Sequence, residues 1–332
     1  LEIVLETSEK NFLIPAHIWT PWFSLLGSKS GFDTLEECFD DLTPHIFAVE
    51  TGLSSDPPMN WRIKFLDGLT LISNSDAHSP GKLGREANLF NTELSFKHIR
   101  RAMEEGDPKR FLGTLEFYPE EGKYHLDGHR KCQVRFWPQE TLMKDGICPV
   151  CHKPMTLGVL YRVEELADRD KGRLPEKRNA FQNIIPLREI LSELLGVGPN
   201  TKKVSYHYDR MLNQLGPELA ILNTLEIDQI ETLALPYLGE AIQRVRQNDI
   251  KLDPGYDGEF GKLILFNKKE KEQLSGQKKL FNIPKQAPDK PTAGLDRLNP
   301  PAGSLFVKKS KKKNKATPVE KKPTTHKDKQ QT

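Results

Sequence analysis

The feature that most constrains this chain is two short-spaced pairs of metal donors. His129 and Cys132 sit in HRKC, and Cys148 and Cys151 in CPVC, sixteen positions after Cys132. Four borderline or soft donors in two such pairs read as a structural, tetrahedral zinc site. A redox pair would need only Cys148 and Cys151 and would leave Cys132 without a role. The fourth ligand stays open in one respect, because His125 and His152 are also near; His129 is preferred for its paired spacing. A closed four-ligand site folds a module too small to hold itself together. The remaining cysteine, Cys38, reads as a small apolar residue in a helical stretch. Four cysteines used in this way are not a disulfide framework and fit a reducing, cytoplasmic setting.

The donors divide the chain. Residues 1–118 alternate apolar strand patterns (FLIPAHIW, HIFAVETG, LTLISNSDAH) with helical ones (TLEECFDDL, SFKHIRRAMEEG). This is βα repetition, as in a barrel or an open α/β sheet. Residues 119–172 are dense in turn residues around the donors, with KCQVRFW and MTLGVLYRV predicted as short strands. Residues 173–266 are mainly helical: IIPLREILSELLG stops at Gly196, and GPELAILNTL and LGEAIQRVRQNDI follow. DPGYDGEFGKLILF then turns into a last strand. Residues 267–332 are rich in Lys, Pro, Gln, Ser and Thr and are predicted to be disordered. No run of 18 or more apolar residues occurs, so no membrane-spanning helix is expected. The chain opens on Leu1, and LEIVLETSEKNFLIPAH reads as the middle of a domain, which predicts a fragment truncated at its N-terminus.

Charge is distributed unevenly. The net charge is +3, but residues 267–332 hold 18 Lys or Arg against 6 Asp or Glu, leaving −9 for the rest. A basic tail on an acidic body reads as an electrostatic arm for nucleic acid or as a solubilising tail.

In α/β folds of this kind, functional side chains gather at the C-terminal ends of strands. His17, Glu50, Asp76 and His78 all fall at predicted strand ends. In SNSDAHSP, Asp76 and His78 are two apart. On an extended chain they share a face, where a carboxylate and an imidazole can bind one metal cluster. The same residues also suit a turn in which Ser75, Asp76 and Ser79 bond their own backbone. His17 ends another apolar run and adds a third donor if the strand ends converge.

The runs PAHIWTPWFSLLG, VETGLSSDPP and LISNSDAHSPGKLGREAN resemble the second half of a polymerase-and-histidinol-phosphatase (PHP) domain. Followed by GKYHLDGHRKC, GICPVC and GVLYRVEELADR, they resemble the endonuclease Q family over residues 10 to 265. The resemblance implies an α/β chain: the C-terminal half of a PHP-type distorted (β/α)7 barrel, a small zinc-binding β module, and a helical C-terminal domain with a disordered tail. It implies a metal-dependent DNA repair endonuclease, cytoplasmic and nucleoid-associated, that cuts 5′ to deaminated bases such as uracil and hypoxanthine, or to abasic sites. His17, Asp76 and His78 become ligands of divalent ions (Zn2+, Mg2+ or Mn2+). Asp76 and Glu50 become the catalytic candidates, the role of Glu50 being open. PHP domains begin with a His-x-His motif and further ligands that this chain lacks upstream of His17, so the isolated chain is expected to be catalytically incomplete. Two other functions fit the same half-domain: a PHP phosphoesterase on a small ester, and a non-catalytic DNA-binding scaffold. The zinc module and basic tail argue against the first.

Within that resemblance, Lys82 and Arg85 follow the metal motif and can meet phosphates. Tyr206, His207 and Tyr208 in VSYHYDR can stack on an extruded base or pack in a core. Trp19 and Trp22 flank the His17 run and can line a base pocket or close the barrel mouth. In the tail, Gln277, Leu280 and Phe281 form Q-x-x-L-F, which resembles the peptide by which bacterial repair and replication enzymes bind the sliding clamp.

Overall fold

The structure is a computed structural model and describes residues 1–233 and 235–276. The chain is mixed α/β. Its first segment runs α1 (Glu2–Thr7), α2 (Leu35–Phe39), β1 (Ala48–Glu50), α3 (Pro57–Asn60), β2 (Thr70–Ile72), β3 (Ala87–Phe90), α4 (Phe96–Glu105) and β4 (Phe111–Glu116). The donor module holds β5 (Asp127–His129), β6 (Val134–Phe136), α5 (Pro138–Met143) and α6 (Val159–Leu166). The last segment contains β7 (Ala180–Asn183), α7 (Leu187–Leu195), α8 (Lys202–Leu215), α9 (Glu218–Asn223), α10 (Ile227–Glu231), α11 (Leu238–Arg246), β8 (Lys251–Asp253), β9 (Lys262–Ile264) and α12 (Lys268–Gly276).

β1 and β2 are parallel, with Val49 opposite Leu71. β4 lies between β3, antiparallel to it, and β7, parallel to it. The Ser73 hydroxyl, just past β2, donates to the Leu115 carbonyl of β4 at 3.1 Å, so the two sheets meet at their C-terminal ends. Sequence places β7 after the donor module, yet it extends the sheet of the first segment. Helix ends follow the local code. Ser95 caps α4 by accepting from the His98 amide. Gly106 ends that helix in the left-handed region, where a Cβ would lie 2.7 Å from Thr70 Oγ1. Gly196 ends α7 in the same way.

One core joins the first segment to the donor module: Ile18, Trp19, Leu26, Val49, Met59 and Ile63 pack with Val159, Leu160 and Val163 of α6. α7 buries Leu187, Ile190 and Leu191, at helical spacing, in a second core with α8, α9, α10 and α11. Arg62 and Glu164, both buried, form a two-pronged ion pair at 2.7 and 3.0 Å that bolts α6 to the first segment.

Three expectations are corrected. FLIPAHIW is not a regular strand: Glu50 donates to the Pro15 carbonyl and Ile18 to Glu50, but Pro15 has no amide to continue a ladder. MTLGVLYRV is not a strand either. Only Thr156 keeps a bridge, to Gly128, and residues 159–166 form α6. Gly158 precedes the helix, its amide donating to Asp127 Oδ1 at 2.6 Å, and Val159, Leu160 and Val163 fall on one helical face. Residues 268–276, expected to be disordered, form α12. Asn267 and Glu270 cap each other reciprocally, and Glu270 pairs with Arg244 at 2.8 Å. Gln277, Leu280 and Phe281 lie outside the described residues.

Candidate functional site

The β5–β6 hairpin carries His129 on its first strand and Cys132 in the turn, where Gln133 takes a positive φ of 54°. Cys148 and Cys151 come from a tight loop closed by the Cys148 amide on the Lys153 carbonyl and the His152 amide on the Cys148 carbonyl, both at 2.9 Å. The donor atoms of His129, Cys132, Cys148 and Cys151 all lie within 4.8 Å of one another, a group able to hold a metal ion. Cys151 Sγ is 3.2 Å from His129 Nδ1. Burial raises the Cys148 thiol, but the amides of Cys151 and Val150 and the His129 ring outweigh it and hold the group at about 6. Burial, then the neighbouring thiols of Cys151 and Cys148, push Cys132 up to about 11. Thiols crowded in this way shed their protons to a cation. His152 is exposed and His125 is buried apart from the cluster.

The second candidate site is at the C-terminal ends of β1 and β2. Glu50 closes β1, and its two carboxylate oxygens tie two loops together. Oε2 accepts the His17 amide at 2.7 Å, and Oε1 accepts Asn74 Nδ2 at 2.8 Å. His17 has a φ of +32°, and Gly52 leaves room for it: a Cβ on Gly52 would lie 2.7 Å from His17 Cβ. β2 ends at Ile72, so Asp76 and His78 belong to a loop and not to a pleat, and Asp76 has a positive φ of 46°. Both side chains are exposed. His78 Nδ1 reaches the Asp76 carbonyl at 2.9 Å and stands 4.0 Å from its carboxylate. Among the described residues, His17, Asp76 and His78 are not drawn into a compact donor set.

Sequence reasoning missed two acids at the same strand ends. Glu116 of β4 is fully buried, accepting from Thr51 Oγ1 at 3.0 Å and Thr114 Oγ1 at 2.5 Å. Glu86 is also buried, and its Oε2 has no hydrogen-bond partner. Burial, aided by the Glu50 charge, pushes the Glu86 carboxyl up to about 8 against the pull of the Phe117 amide. Burial and then Glu86 raise Glu116 well above the usual range. The signal was a glutamate inside each of two strand-like runs, GREANLF and FLGTLEF.

The candidate nucleic-acid contacts separate. Lys82 is exposed, but Arg85 is turned inward, donating to the carbonyls of Ser75 at 2.7 Å and Asp76 at 3.2 Å, which braces the Asp76 loop. Tyr206 is exposed on α8. Tyr208, expected beside it as a stacking platform, is engaged: its hydroxyl donates to Glu218 at 2.7 Å and Arg188 covers its ring at 4.2 Å. Trp19 is fully buried with Nε1 on Asn60, whereas Trp22 is 43% exposed. No helix among the described residues is long and apolar enough to cross a membrane.

Residues 186–249 match the family model of the MJ0043 C-terminal domain. The uncharacterised protein MJ0043 of Methanocaldococcus jannaschii is 34% identical over 74% of this chain and 31% of its own length. The uncharacterised protein YqxK of Bacillus subtilis is 32% identical over 75% of this chain and 60% of its own. Two solved structures share the fold. The lesion-specific endonuclease PfuEndoQ of Pyrococcus furiosus has a TM-score of 0.71 at 32% identity, covering 79% of this chain and 65% of that one. Endonuclease Q in complex with a 27-mer duplex bearing an abasic lesion has a TM-score of 0.67 at 31% identity, covering 79% and 66%. The chain therefore spans less than two thirds of the length of each.

Proposed function

The chain belongs to the endonuclease Q family, and on that premise we propose that it serves a metal-dependent DNA repair endonuclease that cuts the phosphodiester 5′ to a deaminated base or an abasic site. Residues 1–118 are read as part of a PHP-type (β/α)7 barrel, 119–172 as a zinc module, 173–266 as a helical domain, and the basic tail as an arm for DNA. Damaged DNA is the partner, met in the cytoplasm at the nucleoid. Docking of Gln277, Leu280 and Phe281 on a sliding clamp is a further part of the same reading.

The observation that carries this reading is the double use of Glu50. One carboxylate holds the loop of His17 and the loop that leads through Asn74 to Asp76 and His78. Two imidazoles and a carboxylate are thereby carried on neighbouring loops beside the buried acids Glu86 and Glu116. These donor types suit divalent cations, and raised carboxyls beside them fit a site whose positive charge comes from outside the chain. His17, Asp76 and His78 would hold the ions. Bound there, ions supply an activated water and neutralise charge on the phosphate. Arg85 fixes the backbone of the Asp76 loop, and exposed Lys82 meets phosphate. Glu50 acts as a positioning residue. The Cys/His group fits one structural zinc ion, held by His129, Cys132, Cys148 and Cys151.

The test is cleavage of a uracil- or hypoxanthine-containing duplex by the full-length protein with added divalent metal. Asp76→Asn is expected to remove strand cleavage while DNA affinity stays within about threefold, because phosphates are gripped mainly by basic residues elsewhere. Near-normal cleavage by this variant would overturn the ligand role.

A further inference from the structure

Residues 73–76 carry the chain from β2 to the proposed ligands Asp76 and His78. β2 ends at Ile72, and among the described residues its sheet contains only β1 and β2. Residues 73–76 make no backbone-to-backbone hydrogen bond there. Backbone groups in that state need other partners, and β3 supplies them through its side chains. Asn88 Oδ1 accepts the Ser73 amide at 2.9 Å, and Asn88 Nδ2 donates to the Ser73 carbonyl at 2.8 Å. One carboxamide thus makes with Ser73 the two bonds that a directly opposed residue makes in an antiparallel ladder. Arg85, on the approach to β3, donates to the carbonyls of Ser75 and Asp76 at 2.7 and 3.2 Å. Ser73 Oγ in turn donates to the Leu115 carbonyl of β4 at 3.1 Å.

Asn88 also starts a chain of side-chain bonds. Its Nδ2 donates to Asn74 Oδ1 at 2.9 Å, and Asn74 Nδ2 donates to Glu50 Oε1 at 2.8 Å. Glu50 Oε2 then accepts the His17 amide at 2.7 Å. Each donor in this chain meets an acceptor, so both carboxamides have one orientation that satisfies their partners. Turning the Asn88 amide over would set its Nδ2 against the Ser73 N–H and its oxygen against two other oxygens. The chain links β3 to both loops that carry the proposed ligands. An aspartate at position 88 could not stand in, because an ionised carboxylate accepts and cannot donate.

We propose that Asn88 is a positioning residue for the metal loops: it sets the backbone at Ser73 and, through Asn74 and Glu50, the separation of His17 from the Asp76–His78 loop. This rests on the reading of His17, Asp76 and His78 as holders of divalent cations, and it adds what fixes their loops before a cation arrives. The three side chains are not a compact donor set by themselves. A cation must draw them together, and freedom left in the loops is lost on binding. Asn88 removes part of that freedom in advance. Its loss therefore weakens the hold on the cation, while the groups that touch it stay in place. Groups one step behind metal ligands typically change metal affinity about 10–100-fold.

The experiment uses the full-length protein, Mn2+ alone as the calorimetric probe, and cleavage of a duplex bearing an abasic site. Asn88→Ala is expected to weaken Mn2+ binding about tenfold and to move the Mn2+ dependence of cleavage by a similar factor. Its cleavage should recover as Mn2+ is raised, whereas that of Asp76→Asn should not. Asn88→Gln, which keeps both groups on a longer arm, should regain part of the affinity. Asn74→Ala, at an exposed side chain, cuts the link to Glu50 and should cause a smaller loss. The double variant Asn74→Ala/Asn88→Ala should lose less than the sum, because both residues lie on one path. A merely structural Asn88 would lower the melting temperature and leave Mn2+ affinity alone. Unchanged Mn2+ affinity in folded Asn88→Ala, or losses that add in full, overturn the proposal. If Asn88→Ala does not fold, Asn74→Ala decides, and unchanged affinity there overturns it. An unmodified protein that neither binds Mn2+ nor cuts abasic DNA instead overturns the nuclease reading on which the proposal rests.

Discussion

Replacing Glu164 by Ala tests whether the first segment and the donor module are one mechanical unit. Arg62 and Glu164 share two charge-assisted hydrogen bonds, and their side chains are 9% and 5% exposed. Removing Glu164 strands a buried guanidinium, a change that costs about 3–5 kcal/mol. Two features place the expected value at the lower end. Arg62 Nε keeps its bond to the Arg169 carbonyl at 2.9 Å, and Lys171, which also pairs with Glu164 at 3.1 Å, is exposed enough to regain water. The expected loss is therefore about 3 kcal/mol, or a fall in Tm of roughly 6–12 °C at about 2–4 °C per kcal/mol. Urea denaturation should show a lower midpoint with the slope unchanged. The double variant Arg62→Met/Glu164→Leu should recover most of the loss, because it removes the desolvated charges together. A loss below about 1 kcal/mol for Glu164→Ala, or a double variant less stable than the single, would refute the reasoning.

Purified protein should contain about one zinc per chain, lost in Cys148→Ser/Cys151→Ser; metal analysis decides, and full retention by that variant counts against the site. Glu121, raised to about 8 by burial and then by Glu189 and Glu120, keeps its proton in the fold above its unfolded pKa. Its contribution is therefore favourable below about pH 4.5 and is lost as pH rises through 8. Glu121→Gln should accordingly gain stability over the unmodified protein between pH 5 and pH 8, and a gap that does not widen with pH rejects this. Leu280→Ala/Phe281→Ala should abolish sliding-clamp binding in calorimetry with little change in DNA affinity. Deletion from Lys308 onward should instead weaken DNA binding and flatten its salt dependence. Clamp binding equal to the parent's would make the Q-x-x-L-F match a coincidence.

What the sequence made legible was local. The spacing of His129, Cys132, Cys148 and Cys151 has one economical solution, and the structure gathers those four. Gly106 and Gly196 end helices because their backbone takes a conformation glycine adopts cheaply. The apolar periods of α4, α7 and α11 needed no tertiary knowledge. What stayed hidden depends on partners far along the chain. GVLYRV is apolar enough for either a strand or a helix, and the choice is made by Asp127 on the Gly158 amide and by the core that receives Val159 and Val163. β7 reads as nothing in particular, yet pairs in parallel with β4 across the donor module. Glu86 and Glu116 looked like ordinary polar residues, because burial is not written in residue type, and His125 was noted only as an alternative zinc ligand. Asp76 and His78 were singled out for a reason that does not hold: they lie in a loop beyond β2 and not on a shared pleat.

The donor module also does more than stabilise itself. A cation held by His129, Cys132, Cys148 and Cys151 would pin the β5–β6 hairpin, and the same hairpin reaches back to α6. Gly128 exchanges hydrogen bonds with Thr156 at 2.9 Å in both directions, and Asp127 takes the amide that starts α6. α6 in turn packs Val159 against the first segment and holds the carbonyls of Tyr124 and His125. A cation at the cysteines would thus set how α6 sits on the first segment through backbone bonds alone. Loss of the cation should therefore loosen α6 from the first segment before it unfolds the helical segment, whose core of Leu187, Ile190, Val204 and Ile242 is separate. Metal removal monitored by both hydrogen exchange at α6 and the melting of that segment separates the two effects. Simultaneous loss of both would mean that the module is only a staple.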